Sequence, residues 1–245
     1  MRLGPPNGMP DPIYRAIQND SYDKGDCDYS CTEILKPFLQ IRLQHDHVDE
    51  IIEDPWDRLY SLYGQLMHSI LERAALPTDY ILETRLFLEI GGITLSGQLD
   101  TYNIDTKTLA DYKFTTVFSY LHAKQSWANQ LNILAYLAKM KGWDVKHIES
   151  IMVFRDWRMA EGREFERKGK QYPRMVETVA QTLWDTDKAR EYIVSKLLQV
   201  DHYVKHADML DIPKCSDTWG GKRCEHYCDV VRWCPFIQAE RSVMA

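Results

Sequence analysis

The sequence predicts a mixed α/β domain, a central sheet flanked by helices. Three features point there. Apolar residues recur at three- and four-residue steps up to residue 76 and again from 120, but alternate by two between 80 and 118. A Gly91-Gly92 pair interrupts the alternating stretch where a hairpin would turn. A composition of 44% hydrophobic and 27% charged residues is that of a globular chain able to bury a substantial core.

Residues 1–28, rich in Pro, Gly and Asp, read as an irregular lead-in to one domain spanning 1–245. The spacing predicts a helix over 31–47 with Thr32 as N-cap, and a stronger one over 54–76. In the second, Asp54 caps, Pro55 takes the first turn, and Leu59, Leu62, Leu66, Ile70 and Leu71 form the stripe. Alternation predicts strands over 80–90, 93–104 and 109–118. A helix over 120–143 ends at Gly142, a strand follows over 145–157, and a last long helix covers 186–206. Between these lies "RDWRMAEGREFERKGKQYPR" (155–174), read as a basic loop, and 207–245 form a cysteine-rich tail.

A net charge of −6 gives no general attraction to nucleic acid, so any such surface must be local. The 155–174 stretch, with seven Lys/Arg against four Asp/Glu, is the candidate; its alternative is a solvated loop. No secretory apolar region and no membrane-length apolar run occur, so a cytoplasmic protein without a membrane is expected.

The stretch "SGQLDTYNIDTKTLADYKFTT" (96–116) carries Asp100, Asp111 and Lys113 along a hairpin, although carboxylates are poor strand formers. Residues two apart share a face, so Asp111 and Lys113 lie together and Tyr112 turns away. A turn at Asp105–Thr108 brings Asp100 opposite Asp111. Two converging carboxylates repel unless a cation sits between them, and oxygen ligands of this type suit Mg²⁺ or Mn²⁺. An adjacent lysine can orient a water or offset charge on a phosphate. Asp100, Asp111 and Lys113 thus form a candidate site for metal-assisted phosphodiester hydrolysis; a solvated hairpin is the plain alternative.

Together, "GQLMH" (64–68), "GQLD" (97–100), "DYK" (111–113) and "NQLNILAY" (129–136) resemble the PD-(D/E)XK nucleases of the RecB-type exonuclease branch, and "YSCTEILKPF", "VFRDW" and "KCSDTW" resemble its phage-like members. The resemblance implies a restriction-endonuclease-like core. It implies that His68 ligates the metal with Asp100 and Asp111, that the Tyr112 carbonyl adds a ligand, that Lys113 positions water, and that Gln130 contacts the site or DNA. The family's tyrosine falls at Leu134 here, with Tyr136 two residues on. A lone histidine on an apolar helix otherwise reads as core or surface, and Glu83 reads either as near the site or as solvent-facing.

Cys215, Cys224, Cys228 and Cys234 make a full ligand set for zinc or for an iron–sulfur cluster. They lack the C-x2-C spacing that structural zinc favours. Relatives in the resembling branch end in a cysteine triplet followed by proline that holds a [4Fe–4S] cluster, and Cys224, Cys228 and Cys234-Pro235 match it. The resemblance therefore favours [4Fe–4S] over Zn²⁺. Cys27 and Cys31 remain alternative ligands, and His226 is one for zinc. His202 and His206, without a carboxylate partner in pattern, read as a solvated helix face.

The expectation is a Mg²⁺- or Mn²⁺-dependent deoxyribonuclease, an exonuclease acting on DNA with free ends, working alongside phage or host recombination proteins. The alternatives are a structure-selective endonuclease and a non-catalytic nucleic-acid-binding or assembly protein on the same scaffold. The intact Asp/Asp/Lys set argues against the last.

Overall fold

The computed structural model describes residues 1–19, 24–74, 79–122, 125–216 and 220–244. Positions 75–76 of the helix expected over 54–76, and 123–124 of that over 120–143, lie outside the described residues. In chain order the elements are β1 (Arg2–Leu3), α1 (Asp11–Gln18), β2 (Tyr29–Ser30), α2 (Phe38–Asp46), β3 (Ile52–Glu53), α3 (Pro55–Ala74), β4 (Tyr80–Ile90), β5 (Ile93–Asn103), β6 (Thr108–Thr115), α4 (Val117–Leu121) and α5 (Gln125–Met140). They continue with β7 (His147–Phe154), α6 (Met159–Arg167), β8 (Val176–Gln181), α7 (Thr186–Lys205), α8 (Lys222–His226) and α9 (Pro235–Met244). Among the described residues, no helix is long and apolar enough to cross a membrane.

The chain divides into two compact units. One comprises Lys24–Cys31 and Leu62–Arg190 and holds a mixed sheet in the order β2-β5-β6-β7-β8, with β4 also paired to β5. The β4–β5 hairpin turns at Gly91 and Gly92, with φ of 60° and 81°, values that a turn of this kind needs and glycine supplies without strain. Strand β5 is forked. Its C-terminal end pairs antiparallel with β6 at Thr101↔Ala110 through Asn103↔Thr108, while near its start it pairs in parallel with β2 at Leu95 and Ser96. Residues 97–100 lie between the two arms. Strands β6 and β7 run parallel along their whole length, and β8 closes the edge antiparallel to β7.

Helix α5 packs on β4, β5, β6 and β7 through Leu131, Ile133, Leu134 and Leu137, all buried. It sits close because residue 97 has no side chain: a Cβ there would overlap Cys31 Sγ and lie 2.6 Å from Leu134 Cδ2. Buried Asn132 donates to the Ala128 and Thr182 carbonyls and accepts from the Trp184 N–H, tying α5 to the chain beyond β8.

The other unit comprises Met1–Asp23, Thr32–Ser61 and Glu191–Ala245. Its core joins Leu39, Leu43 and Ile51 to Ile212 and Val230, with Tyr203, Trp233 and Phe236 packed against them. Arg42 donates to the Tyr203 and Ala207 carbonyls at 2.9 Å, closing the C-terminal end of α7.

Several boundaries differ from expectation. The lead-in contains α1, with Pro12 in its first turn. The helix expected from residue 31 starts at Phe38, because Pro37 disfavours helical backbone at Lys36, and Pro37 rather than Thr32 stands at its N-cap. Strand β6 stops at Thr115, and the 120–143 helix is two helices, α4 and α5, the second ending before Gly142 as expected. The 155–174 loop holds α6, and β8 follows as a half-exposed edge strand whose weak apolar alternation hides it.

Candidate active site

Five elements of the sheet unit, α3, β4, β5, β6 and α5, meet at the fork of β5. Asp100 is the last residue before β5 joins β6. Its Oδ2 accepts the Tyr112 N–H at 2.7 Å, supplying a bond the interrupted ladder would otherwise provide. Asp111, 3% exposed, follows Ala110, the last residue of β6 paired with β5. Lys113 Nζ donates to Asp111 Oδ1 at 2.9 Å and to Gln130 Oε1 on α5 at 3.1 Å. Asp111 Oδ2 is 2.7 Å from the same ammonium but off its donor directions, and is buried without a hydrogen bond.

The third side comes from α3 and β4. His68 Nδ1 lies 3.0 Å from Glu83 Oε1 and 3.7 Å from Asp100 Oδ1. One ligand atom each from His68, Glu83 and Asp100 falls within 4.8 Å of the others. These three residues would be able to hold a hard divalent cation. Glu83 has φ of 41°, a left-handed conformation in mid-strand that a residue with a side chain adopts only under constraint. It sits across from Asp100, between the Leu82↔Thr101 and Thr84↔Leu99 pairs. Gln98 Nε2 donates to Glu83 Oε2 at 2.8 Å, and Arg85 Nη2 donates to Gln98 Oε1 at 2.8 Å.

The electrostatics follow from this crowding. Burial, then the Asp111 carboxylate, push Asp100 up to about 7 against the pull of His68, the Tyr112 N–H and Lys113. The Glu83 hydrogen bond lifts His68 above the ordinary imidazole range against burial, with Asp100 and Asp111 adding to it. Burial would raise Glu83, but the hydrogen bonds from His68 and Gln98 outweigh it and hold that carboxyl below its usual range. His68, Glu83 and Asp100 offer one imidazole and two carboxylates, with the Asp111 carboxylate acting on Asp100 from nearby, a set that fits a divalent cation of the Mg²⁺ or Mn²⁺ class.

His68, Asp100, Asp111, Lys113 and Gln130 therefore come together. One expectation changes. The Tyr112 ring does not turn from the site but lies edge-on to His68 with centroids 6.0 Å apart, beyond the last residue of β6 paired with β5. Tyr136 is buried in α5, and Leu134 packs at Gly97. Glu83 turns toward His68 rather than to solvent. Gln98 and Arg85 were not expected; strand alternation places 83 and 85 on one face, opposite 98 and 100, and was the available signal.

The cysteines are all thiols, with no disulfide among them. Cys215, Cys228 and Cys234 pack on one hydrophobic cluster. Burial raises the Cys215 and Cys228 thiols; Cys234 and Cys224 add to the first, Cys224 and Cys215 to the second. Among the described residues no three of these sulfurs lie within 4.8 Å of one another, so a cysteine-ligated site is not shown. These thiols are gathered without converging on a point. Cys31 is buried beside Gly97, and Cys27 Sγ accepts from the Ser96 hydroxyl, both within the sheet unit. His202, on α7, and His206, just beyond its end, are exposed. A cleft of about 580 Å³ in the other unit, lined by Glu53, Asp57, Arg58, Glu225 and Asp229 among others, contains none of the expected catalytic residues.

Comparison with protein-family models and with curated proteins finds no match. Among solved structures, the chain is similar to the crystal structure of SSO0001, with a TM-score of 0.58 and 15% sequence identity over 91% of this chain and 94% of that one. At that identity the likeness shows a shared α/β fold and nothing about activity.

Proposed function

We propose that the protein is a metal-dependent deoxyribonuclease of the PD-(D/E)XK type that hydrolyses phosphodiester bonds, acting from DNA ends. The observation that carries this reading is the meeting of Asp100, Asp111 and Lys113 at the β5 fork with His68 beside them. His68, Glu83, Asp100 and Asp111 would hold one or two Mg²⁺ or Mn²⁺ ions, with the Tyr112 carbonyl as a further oxygen. Such an ion acidifies a water and offsets charge on the phosphate. Lys113, fixed by Asp111 and Gln130, orients the attacking water and meets charge that builds on the phosphoryl oxygens. Gln98 holds Glu83 in place beside His68.

End-labelled linear DNA and closed circular DNA, each incubated with Mg²⁺ or Mn²⁺, test the reading. Linear DNA should be degraded and circular DNA spared, and Asp111→Asn or Lys113→Ala should abolish cleavage without loss of helix content by circular dichroism. Cleavage by either variant at the wild-type rate would overturn it.

The cysteine tail is proposed to hold a [4Fe–4S] cluster, with zinc as the alternative. The support is a set of four thiols in one unit, three of them on one apolar cluster.

A further inference from the structure

Beyond β6 the chain presents an aromatic platform that the hydrolytic site does not use. Thr116 caps α4 by accepting the Ser119 N–H at 3.1 Å, and Asp156 accepts the Val117 N–H at 2.9 Å. Helix α4 is thus pinned at its start. Val117 and Tyr120 join a core with Met152 and Phe154, but Phe118 is 68% exposed. Its ring stacks on His122 with centroids 4.2 Å apart and planes 25° apart, and His122 Nδ1 lies 3.0 Å from the Phe118 carbonyl. An ordered, solvent-facing aromatic pair of this kind offers a flat π-face to a ligand.

The basic segment starts at the same place. Arg155 N–H donates to the Thr115 carbonyl at 2.9 Å, and Trp157 Nε1 donates to the Pro173 carbonyl at 2.8 Å, so the 155–174 excursion is closed at its base beside α4. Tyr172 packs against Gly162 and Phe165, holding α6 to that base. Helix α6 buries no residue, and Arg158, Arg163 and Arg167 are exposed. Its pairs Arg158–Glu161 and Lys168–Glu164 are solvent-exposed, the kind that contributes little and yields to a polyanion. Because β6 and β7 are parallel, α4 and this segment emerge at one sheet edge, the carboxyl ends where ligands of such sheets bind. Lys113 lies three residues before Thr116, roughly 10 Å along the strand.

We infer that the Phe118–His122 pair and the basic segment 155–174 form a track for single-stranded DNA leading from the Asp111–Lys113 site. A base stacks on Phe118 while Arg158, Arg163 and Arg167 take phosphates. Paired bases cannot offer a free face to Phe118, so the track selects unpaired strands. The inference rests on the nuclease reading only in taking that strand to be the substrate.

Fluorescence anisotropy of the full chain in EDTA, with a labelled single strand and the matching duplex at several salt concentrations, tests it without cleavage. The single strand should bind tighter than the duplex. Phe118→Ala should weaken single-strand binding by about tenfold, within the range of one lost stacking contact, and leave duplex binding unchanged. Phe118→Trp should retain binding. Arg163→Ala with Arg167→Ala should lower the log–log salt slope by about 1.4 for two released phosphates. Equal binding of the two DNA forms, or wild-type single-strand affinity in Phe118→Ala, overturns the track. A shift of oligomeric state in Phe118→Ala with DNA binding unchanged overturns it too and assigns the platform to a second copy. Cleavage is scored separately with Mn²⁺: an active enzyme indifferent to Phe118 sinks the track alone, whereas Phe118-dependent binding without any cleavage sinks the nuclease reading alone.

Discussion

At pH 8 an ionised Asp100 faces Asp111 from a position where only 11% of its side chain is exposed. The folded protein retains a proton there up to about 7, whereas the unfolded chain loses it near 4. Folded chain therefore binds more protons between those values, and stability falls as pH rises across that window. His68, also raised, adds a loss in the same direction as pH climbs through its folded value. Metal-free protein should thus melt at lower temperature at pH 8 than at pH 5.5, and Mn²⁺ should restore the difference. Asp100→Asn keeps an acceptor for the Tyr112 N–H but removes the repulsion. It should melt a few degrees higher than wild type in EDTA at pH 8, on the order of 1 kcal/mol, while losing cleavage and the response to Mn²⁺. Thermal melts across pH, with and without Mn²⁺, check this; a flat profile would contradict it. At this scale Asp100, Asp111 and Lys113 were legible because strand alternation and a short turn place them together. The orientation of Glu83 was not, because a positive φ in mid-strand breaks the alternation on which such a reading depends.

Two glycines separate what elements need from what the motif suggests. Gly97 is required by the approach of α5 to β5, where Cys31 and Leu134 occupy the space of a side chain. Gly97→Ala should cost about 1–3 kcal/mol in urea unfolding, the usual cost of overpacking a core. Gly64, on α3, has nothing within 4 Å of a built Cβ. Gly64→Ala should leave stability unchanged or raise it by up to about 1 kcal/mol through helix propensity. A Gly64→Ala protein that is stable but inactive would mean that the open face must admit a substrate. Long periodic elements such as α3, β4 and β5 were legible from the sequence. Helix α6 and strand β8 were not, since α6 buries nothing and β8 is half exposed, so neither leaves a strong apolar pattern.

For the whole molecule, the cysteine tail supplies part of a core rather than an appendage, with Cys228 and Cys234 packed near Ile212 and Val230. Protein purified without oxygen should contain iron and absorb broadly in the visible, and Cys228→Ser should lose the colour and expose the last 30 residues or so to protease. One equivalent of zinc and no colour would reassign the metal. Closeness of the four cysteines in sequence was plain, but spacing says nothing about whether sulfurs converge. That same core has a consequence for synthesis. Leu39, Leu43 and Ile51 can be buried only against residues that emerge about 180 positions later, which at 5–20 residues per second is a wait of roughly 10–35 s. During that interval residues 24–31 and 62–190, which hold the six-stranded sheet, are already made and free to fold while an apolar face of α2 stays bare. A nascent chain halted before Ile212 should therefore be bound by chaperones or aggregate, even though every residue of the proposed hydrolytic site has already been made.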